Sequence, residues 1–540
     1  MKYPLLLLSL GSLLLLTACS QQDTASDAQA LAPRAATATG IVEGLNEDGI
    51  SVYKGIPYAR PPIGDLRWRS PQAVDSWEGV KTTKDFGNDC MQKPFAGDAA
   101  PLGEEPAEDC LYMNVWAPAQ SADLQDKRPV VVWIHGGGFV NGGASPATYS
   151  GEQFARAGVI FASFNYRLGR FGFFAHPALT EASEGPLGNY GFEDQIAAMQ
   201  WVQNNIAAFG GDPQNITVIG ESAGGASLFN LLTTPTARGL FQRAVVMSGG
   251  GRGLMRARAI FDTENGAPSA EQIGVNFAQK HGIEGTGPEA LAQLRELPAE
   301  AIVDGFNLST LFQPPQDPPT YPGAPLLDGE IVRGHTEALV KAGDIANVTL
   351  MIGTTSQDLG YASYQDKDAL FASFGEYAAD AQNAYDPGGD KPMDAVAVAV
   401  GQDRAMQEPA RFVAQQMTAQ GQKVYLYRYN YVAESVRNGQ GTPHAAEIPF
   451  FFDTADIKYP DATEQDNAAA ELVFSYMVSF AKDGNPNLPR YPQWHPYDNE
   501  QHNIMIFNMD ATAEEVSDPW ADRLDAVQRA HESVLMPGQD

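Results

Sequence analysis

Asn215-Ile-Thr-Val-Ile-Gly220-Glu221-Ser222-Ala223-Gly224-Gly225 decides how this 540-residue chain is read. A buried strand runs straight into Gly-Glu-Ser-Ala-Gly and then into a helix-compatible stretch, Ala226 to Leu232. Glycine two places to either side of Ser222 is a steric requirement. The turn is so tight that side chains there would strike the neighbouring strand and helix, while the serine itself takes a strained backbone conformation. Its hydroxyl then projects above the sheet at the start of a helix, whose dipole favours developing negative charge. A bare G-x-S-x-G arises often by chance. The strand before it and the helix after it make Ser222 a nucleophile on an elbow.

Around this segment, short apolar runs alternate with longer helical patterns, as in an α/β protein built on a mostly parallel sheet. Val130-Val-Val-Trp-Ile134, Val159-Ile-Phe-Ala-Ser163, Ile216-Thr-Val-Ile219, Ala244-Val-Val-Met247 and Val348-Thr-Leu-Met-Ile352 lack polar alternation, so they read as strands buried on both faces. Val424-Tyr-Leu-Tyr-Arg-Tyr429 is a later strand. Ile196, Met199, Val202 and Ile206 recur at helical spacing and place an amphipathic helix, packed on the core, over roughly 193–208. One strand ends in Trp133-Ile134-His135-Gly136-Gly137-Gly138-Phe139. Three glycines in a row leave backbone N–H groups free to converge on an oxyanion. A phosphate loop is excluded, because no Gly-Lys-Ser/Thr follows and the spacing fails G-x-G-x-x-G.

A serine nucleophile needs a base, and the base needs a carboxylate to orient it. Of the eight histidines, His444 follows a strand and precedes an apolar run, in Gly441-Thr-Pro-His444-Ala-Ala-Glu-Ile-Pro-Phe450. That suits a loop at the carboxyl edge of the sheet. Asp358, in Met351-Ile-Gly-Thr-Thr-Ser-Gln-Asp358-Leu-Gly360, follows another buried run. The rivals Asp328, Glu330 and Asp344 precede that strand rather than follow it. The chain order Ser222, Asp358, His444 is that of an α/β-hydrolase triad.

Acidic side chains number 66 against 35 basic ones, a formal charge of −31 that argues against nucleic-acid partners. A hydrophobic share of 44% with 19% charged residues is that of a packed globular protein. At the amino terminus, Lys2 and the apolar run Leu5 to Leu16 lead into Leu16-Thr17-Ala18-Cys19. The run is too short to span a bilayer and fits a secretory signal over residues 1–18. Its ending resembles a bacterial lipobox, in which Cys19 takes the lipid; a plain signal would leave Cys19 a free thiol. Residues 19–39 then read as a flexible tether, and 40–540 as a single domain held at a membrane on its periplasmic or cell-surface side. With Cys19 lipidated, Cys90 and Cys110 are an even pair, either bridged or reduced. No H-E-x-x-H, C-x-x-C pair or dinucleotide fingerprint occurs, so neither metal nor organic cofactor is expected.

From about Thr39 to Trp520 the residues resemble the type-B carboxylesterase family, which includes para-nitrobenzyl esterases and cholinesterases. The most specific stretch runs from Asn189-Tyr-Gly-Phe-Glu-Asp-Gln through Phe209-Gly-Gly-Asp-Pro to the elbow. Gly55-Ile-Pro-Tyr-Ala-Arg-Pro-Pro, Glu108-Asp-Cys-Leu-Tyr and Asn165-Tyr-Arg-Leu-Gly add to it. The resemblance implies an α/β-hydrolase fold with large loop insertions forming a substrate gorge. It implies Ser222 as nucleophile and His444 as base, with Gly137, Gly138 and Ala223 as oxyanion N–H donors, and it supports a Cys90–Cys110 disulfide. Two positions depart from the family pattern. Asp358 is followed by Leu359 where Glu-Gly is usual, and His444 by Ala445 where Gly is usual.

The expected reaction is hydrolysis of neutral small-to-medium esters through an acyl-enzyme, with activity rising as His444 deprotonates at about pH 6–7. Other acyl bonds (amide, thioester, polyester) would use the same apparatus. A non-catalytic binding module on this scaffold would lack the serine or the histidine, and both are present here. No Trp lies between Cys90 and Cys110, which disfavours a quaternary ammonium substrate. Segments 93–105, 248–258, 306–321 and 361–374 are expected to line the gorge. Their aromatics, Phe306, Phe312, Tyr321, Tyr361 and Phe371, are either pocket or ordinary core. Arg252, Arg256 and Arg258 are read as solvated, with recognition of a substrate carboxylate as the alternative.

Overall fold

The computed structural model describes residue 1 and residues 32–535 apart from positions 96, 99, 120–126, 254, 255, 264, 265, 312 and 314–316. The signal segment, the lipidation position Cys19, most of the tether and Phe312 lie outside the described residues.

Among the described residues, eleven strands form one sheet. In chain order they are β1 (Leu45–Glu47), β2 (Ile50–Pro57), β3 (Tyr112–Pro118), β4 (Arg128–Ile134), β5 (Ile160–Phe164), β6 (Gly211–Glu221), β7 (Arg243–Met247), β8 (Thr349–Thr355), β9 (Val424–Tyr429), β10 (Asn503–Phe507) and β11 (Ala513–Ser517). Their spatial order is β11-β10-β9-β8-β7-β6-β4-β5-β3-β2-β1. The strands from β10 across to β5 all run parallel. The outer strands β1, β2, β3 and β11 pair antiparallel. Every apolar run read as a strand is one, within a few residues at its ends.

The apolar runs lack alternation because both faces of the sheet are covered. Along β4, Val130, Val132 and Ile134 enter one core cluster, while Val131 and Trp133 enter another on the opposite face. Helix α1 (Tyr190–Asn205) packs Phe192, Met199 and Val202 into the first. A long helix, Glu464–Asp483, packs Phe474, Met477 and Phe480 into the second. α1 begins three residues before the expected start and passes into a 3-10 turn, Ile206–Phe209.

The tether reading fails at its carboxyl end. Arg34–Thr37 is a strand that pairs antiparallel with Gly40–Glu43, which in turn pairs with Val80–Thr82. Ala35 is buried there, the Thr37 hydroxyl donates to the Gly40 carbonyl at 2.7 Å, and Asn205 accepts the Ala38 N–H at 2.8 Å. One of these hydrogen bonds is local and the other reaches the distant Asn205 side chain, and the residues that make them leave no hydrophobic period to read. The Cys90–Cys110 disulfide is formed.

Strand and helix meet most closely where β6 turns into α2 (Ala223–Thr233). A Cβ on Gly224 would lie 2.0 Å from the Ile134 carbonyl oxygen, and one on Gly220 2.5 Å from the Gly224 carbonyl. On Gly225 it would lie 2.9 Å from the Gly249 Cα. Backbone cannot yield as a side-chain end can. Gly224→Ala is therefore expected to destabilise by about 1–3 kcal/mol through overpacking, read as a lowered thermal midpoint. An unchanged midpoint would show that the elbow has slack.

Candidate active site

Parallel strands end at one edge of the sheet, and four of them deliver the site. β4 leads into the glycine loop, β6 into Ser222, β8 into Asp358, and the chain leaving β9 into His444. At the elbow Ser222 has φ 56° and ψ −121°, a conformation costly for a residue with a Cβ. It is held from both sides: its N–H donates to the Met247 carbonyl at 2.9 Å, and its carbonyl accepts the Ala226 N–H at 2.8 Å.

The glycine loop lies directly against this turn, since a Cβ on Gly136 would stand 3.1 Å from the Ser222 Cβ. Gly137 has φ 105° and Gly138 φ 63°, values that let the loop fold back on itself. The Gly137 carbonyl accepts the N–H groups of Val140 at 3.1 Å and Asn141 at 3.0 Å. The N–H groups of Gly137 and Gly138 donate to no backbone carbonyl among the described residues. Ala223 is the first residue of α2, so its N–H has no partner within the helix. Ser222, Gly137, Gly138 and Ala223 thus share one corner of the sheet edge.

Asp358 and His444 are joined by a 2.6 Å hydrogen bond between Oδ1 and Nδ1. The buried Asp358 carboxylate also accepts the Ser248 hydroxyl at 2.7 Å and the N–H groups of Thr355 at 3.0 Å and Leu359 at 2.8 Å. Burial alone would raise its pKa. The His444 charge and hydrogen bond, with those of Ser248 and Leu359, outweigh burial and hold it below the usual carboxylate range. Leu359 is thus compatible with the acid role, because it is the N–H of this residue that serves. Glycine is required one place later: Gly360 has φ 135°, and a Cβ there would lie 2.2 Å from the Gly401 carbonyl oxygen. The other departure carries strain, since Ala445 sits at φ 64° where a glycine would be at ease.

On its other side, His444 Nε2 lies 3.2 Å from Glu221 Oε1 and has no hydrogen-bond partner among the described residues. A Ser222–His444 hydrogen bond is not formed here. The imidazole instead faces the carboxylate of the residue next to the serine, and such contacts commonly tighten only with substrate in place. Glu447 completes a buried group of three carboxyls around one imidazole, its Oε1 3.4 Å from the Ser248 hydroxyl. Burial raises Glu221 to about 7, with Asp358 repulsion adding to it and the His444 charge opposing it. Burial, then repulsion from Glu221 and Asp358, raises Glu447 well above its ordinary value. For His444 burial acts downward, but Glu221 first, then Asp358, its hydrogen bond and Glu447, push it up from 6.5 to about 10.

Glu221 and Glu447 are parts of the site that sequence reading passed over, although each stands beside a residue it singled out. The rivals for the acid are elsewhere. Asp328 caps a turn by accepting the N–H groups of Glu330, Ile331 and Val332, and Asp344 pairs with Arg238 and Arg333. Arg252 is neither solvated nor free for a substrate. It is buried, paired with Glu408 and Glu337, and its guanidinium lies 4.3 Å from the Phe412 ring centroid. Phe371 belongs to a separate core cluster and Tyr361 is exposed, whereas Phe306 and Tyr321 pack against each other at a tilt of 50°, both close to the Arg170 guanidinium.

The chain is similar to known proteins over most of its length. A model described as the carboxylesterase family matches residues 32–522. Para-nitrobenzyl esterase of Bacillus subtilis (strain 168) is 34% identical over 509 residues, covering 90% of this chain and 96% of its own. Carboxylesterase 1E of Rattus norvegicus is 30% identical over 506 residues, covering 86% of this chain and 87% of its own. A solved structure of PNB esterase superposes with a TM-score of 0.77 at 29% identity, covering 92% of this chain and 99% of that one.

The field at His444 has a measurable sign. In the base role expected of His444 the active form is the neutral imidazole, so a raised pKa moves the acidic limb of a kcat/KM profile above the pH 6–7 expected of an unperturbed histidine. Glu221→Gln removes the largest of the charges that raise it, and the limb is expected to move to lower pH by about one unit or more. A limb that stays in place in this variant would show that Glu221 does not govern the imidazole.

Proposed function

The chain belongs to the carboxylesterase family and is a carboxylesterase-type hydrolase, and on that premise we propose that it cleaves neutral small-to-medium esters by a two-step serine mechanism. The observation that carries this reading is the Asp358–His444 pair at 2.6 Å, with Nε2 turned toward the elbow that bears Ser222. In the first step Ser222 Oγ bonds to the ester carbonyl carbon and its proton passes to His444 Nε2. The carbonyl electron pair moves onto oxygen, where the N–H groups of Gly137, Gly138 and Ala223 would receive it, a contribution of about 3 kcal/mol for one such donor. Collapse expels the alcohol, which takes the proton from His444. In the second step His444 takes a proton from water as the water attacks the acyl-enzyme; collapse then breaks the bond from the acyl carbon to Ser222 Oγ, the imidazolium returns its proton to that oxygen, and the acid leaves. Asp358, held ionised, stabilises the imidazolium in both steps.

Preference for neutral esters follows from the charges. Asp358 keeps its charge in a buried site that Glu221 and Glu447 already crowd, and an anionic substrate would add a second negative charge there at low dielectric. The amino-terminal reading is part of the same proposal: Cys19 carries lipid and holds the hydrolase at a membrane outside the cytoplasm.

Ser222→Ala is expected to lower kcat for para-nitrophenyl butyrate at least a thousandfold with little change in KM. Turnover near the wild-type rate would overturn the serine assignment. Cells expressing the full chain with tritiated palmitate are expected to label the protein, and Cys19→Ala to remove both the label and its sedimentation with membranes. Equal labelling of the two would place the lipid elsewhere.

A further inference from the structure

A buried run of amides ties three separate segments together beside the oxyanion glycines. Asn141, 1% exposed, donates through Nδ2 to Gln92 Oε1 at 2.9 Å and to the Lys93 carbonyl at 3.0 Å. Its Oδ1 accepts the Leu308 N–H at 2.6 Å. Gln92 donates in turn to the carbonyls of Cys90 at 2.9 Å and Gly142 at 2.7 Å, and its Oε1 accepts the Gly142 N–H at 2.9 Å. The far end is pinned by the Cys90–Cys110 disulfide. Leu308 opens a short helix, Leu308–Leu311. Both of its leucines bear on the glycine loop: a Cβ on Gly138 would lie 2.8 Å from Leu308 Cδ1 and 2.9 Å from Leu311 Cδ2. The two leucines are only half-buried, so they keep an open apolar face.

We infer that Asn141 is a positioning residue that holds Leu308 and Leu311 as a wall beside the oxyanion glycines and thereby sets the length of acyl chain the site accepts. The inference rests on the serine mechanism above. In that mechanism the leaving alcohol must lie within reach of His444 Nε2, which protonates it. A wall on the Gly138 side therefore meets the other substituent of the carbonyl carbon, the acyl chain. A buried amide that binds three segments is costly to leave half-satisfied, so the segments keep one relative position only while all its hydrogen bonds persist. Asn141 also donates its own N–H to the Gly137 carbonyl at 3.0 Å, so wall and oxyanion loop are set by one residue.

The test is the ratio of kcat/KM for para-nitrophenyl octanoate to that for the acetate. Asn141→Ala removes the acceptor for the Leu308 N–H, and the ratio is expected to rise about tenfold or more, a change of the size one or two methylenes produce in an apolar pocket. Asn141→Asp keeps that acceptor but sets an oxygen in place of the Nδ2 donor against Gln92 Oε1 and the Lys93 carbonyl, so it is expected to raise the ratio as well. Leu308→Ala/Leu311→Ala takes away the wall itself and is expected to match Asn141→Ala, with no further rise when the two changes are combined. A merely structural role would slow both esters alike; an unchanged ratio in Asn141→Ala overturns the inference. Should Asn141→Ala fail to fold, the leucine variant decides, since an unchanged ratio there means there is no wall. Titration of each variant with a fluorophosphonate separates the two layers. A wild-type enzyme not labelled at Ser222 overturns the serine reading and the wall with it, whereas labelling at Ser222 with an unchanged ratio in the variants overturns the wall alone.

Discussion

A serine at φ 56° and ψ −121° survives only where its surroundings leave it no other choice, and that is the condition on which this molecule is built. Three backbone segments close on the turn: the end of β4, the end of β7 and the first turn of α2. Each approach is possible because glycine stands at 136, 220, 224 and 225. The parallel sheet supplies the approach by ending β4, β6, β8 and β9 at one edge, and two-sided burial fixes the register, since a slip of one residue would exchange Val131 and Trp133 with Val130 and Val132. Packing far from the chemistry thus sets where the hydroxyl points.

The second constraint is electrostatic. Three carboxyls and one imidazole share a buried volume, and all of them cannot be ionised together at low dielectric cost. Asp358 keeps its charge because four donors converge on it: Ser248, Thr355, Leu359 and His444. Glu221 and Glu447 have no comparable set, and each leaves an oxygen without a partner, Oε1 and Oε2 respectively. Burial and mutual repulsion raise their pKa values, with no such set of donors to oppose them. One carboxylate therefore stays ionised against His444, while the other two tune the proton affinity of that imidazole.

Much of this was legible in the sequence because it is local. Apolar runs without alternation can lie only in a sheet covered on both faces, and the glycine spacing around Ser222 admits few alternatives to an elbow. Asp358 and His444 could be found because each follows a strand, and strand ends at one edge converge. What escaped reading depends on distant partners. Arg34–Thr37 is a strand only because Gly40–Glu43 lies beside it, and its small side chains carry no period. The environment of Arg252 is made by Glu337 and Glu408, far along the chain. Leu308 and Leu311 lie in the segment 306–321 expected to line the gorge, but nothing local singles them out until folding sets them against Gly138. Glu221 was hidden in plain view: motif reading assigns it no role, and only the fold turns its carboxylate toward His444.

The central claim is that the turn at Ser222, the glycine loop and the Asp358–His444 pair form one acyl-transfer site. A crystal structure of the protein inactivated with a small alkyl fluorophosphonate tests it most directly. The account expects phosphorus bonded to Ser222 Oγ and a non-bridging oxygen about 2.7–3.1 Å from the nitrogens of Gly137, Gly138 and Ala223. It also expects His444 Nε2 swung from Glu221 to within hydrogen-bond reach of an oxygen on phosphorus. An adduct on another residue, or a phosphonyl oxygen turned away from all three nitrogens, would contradict it.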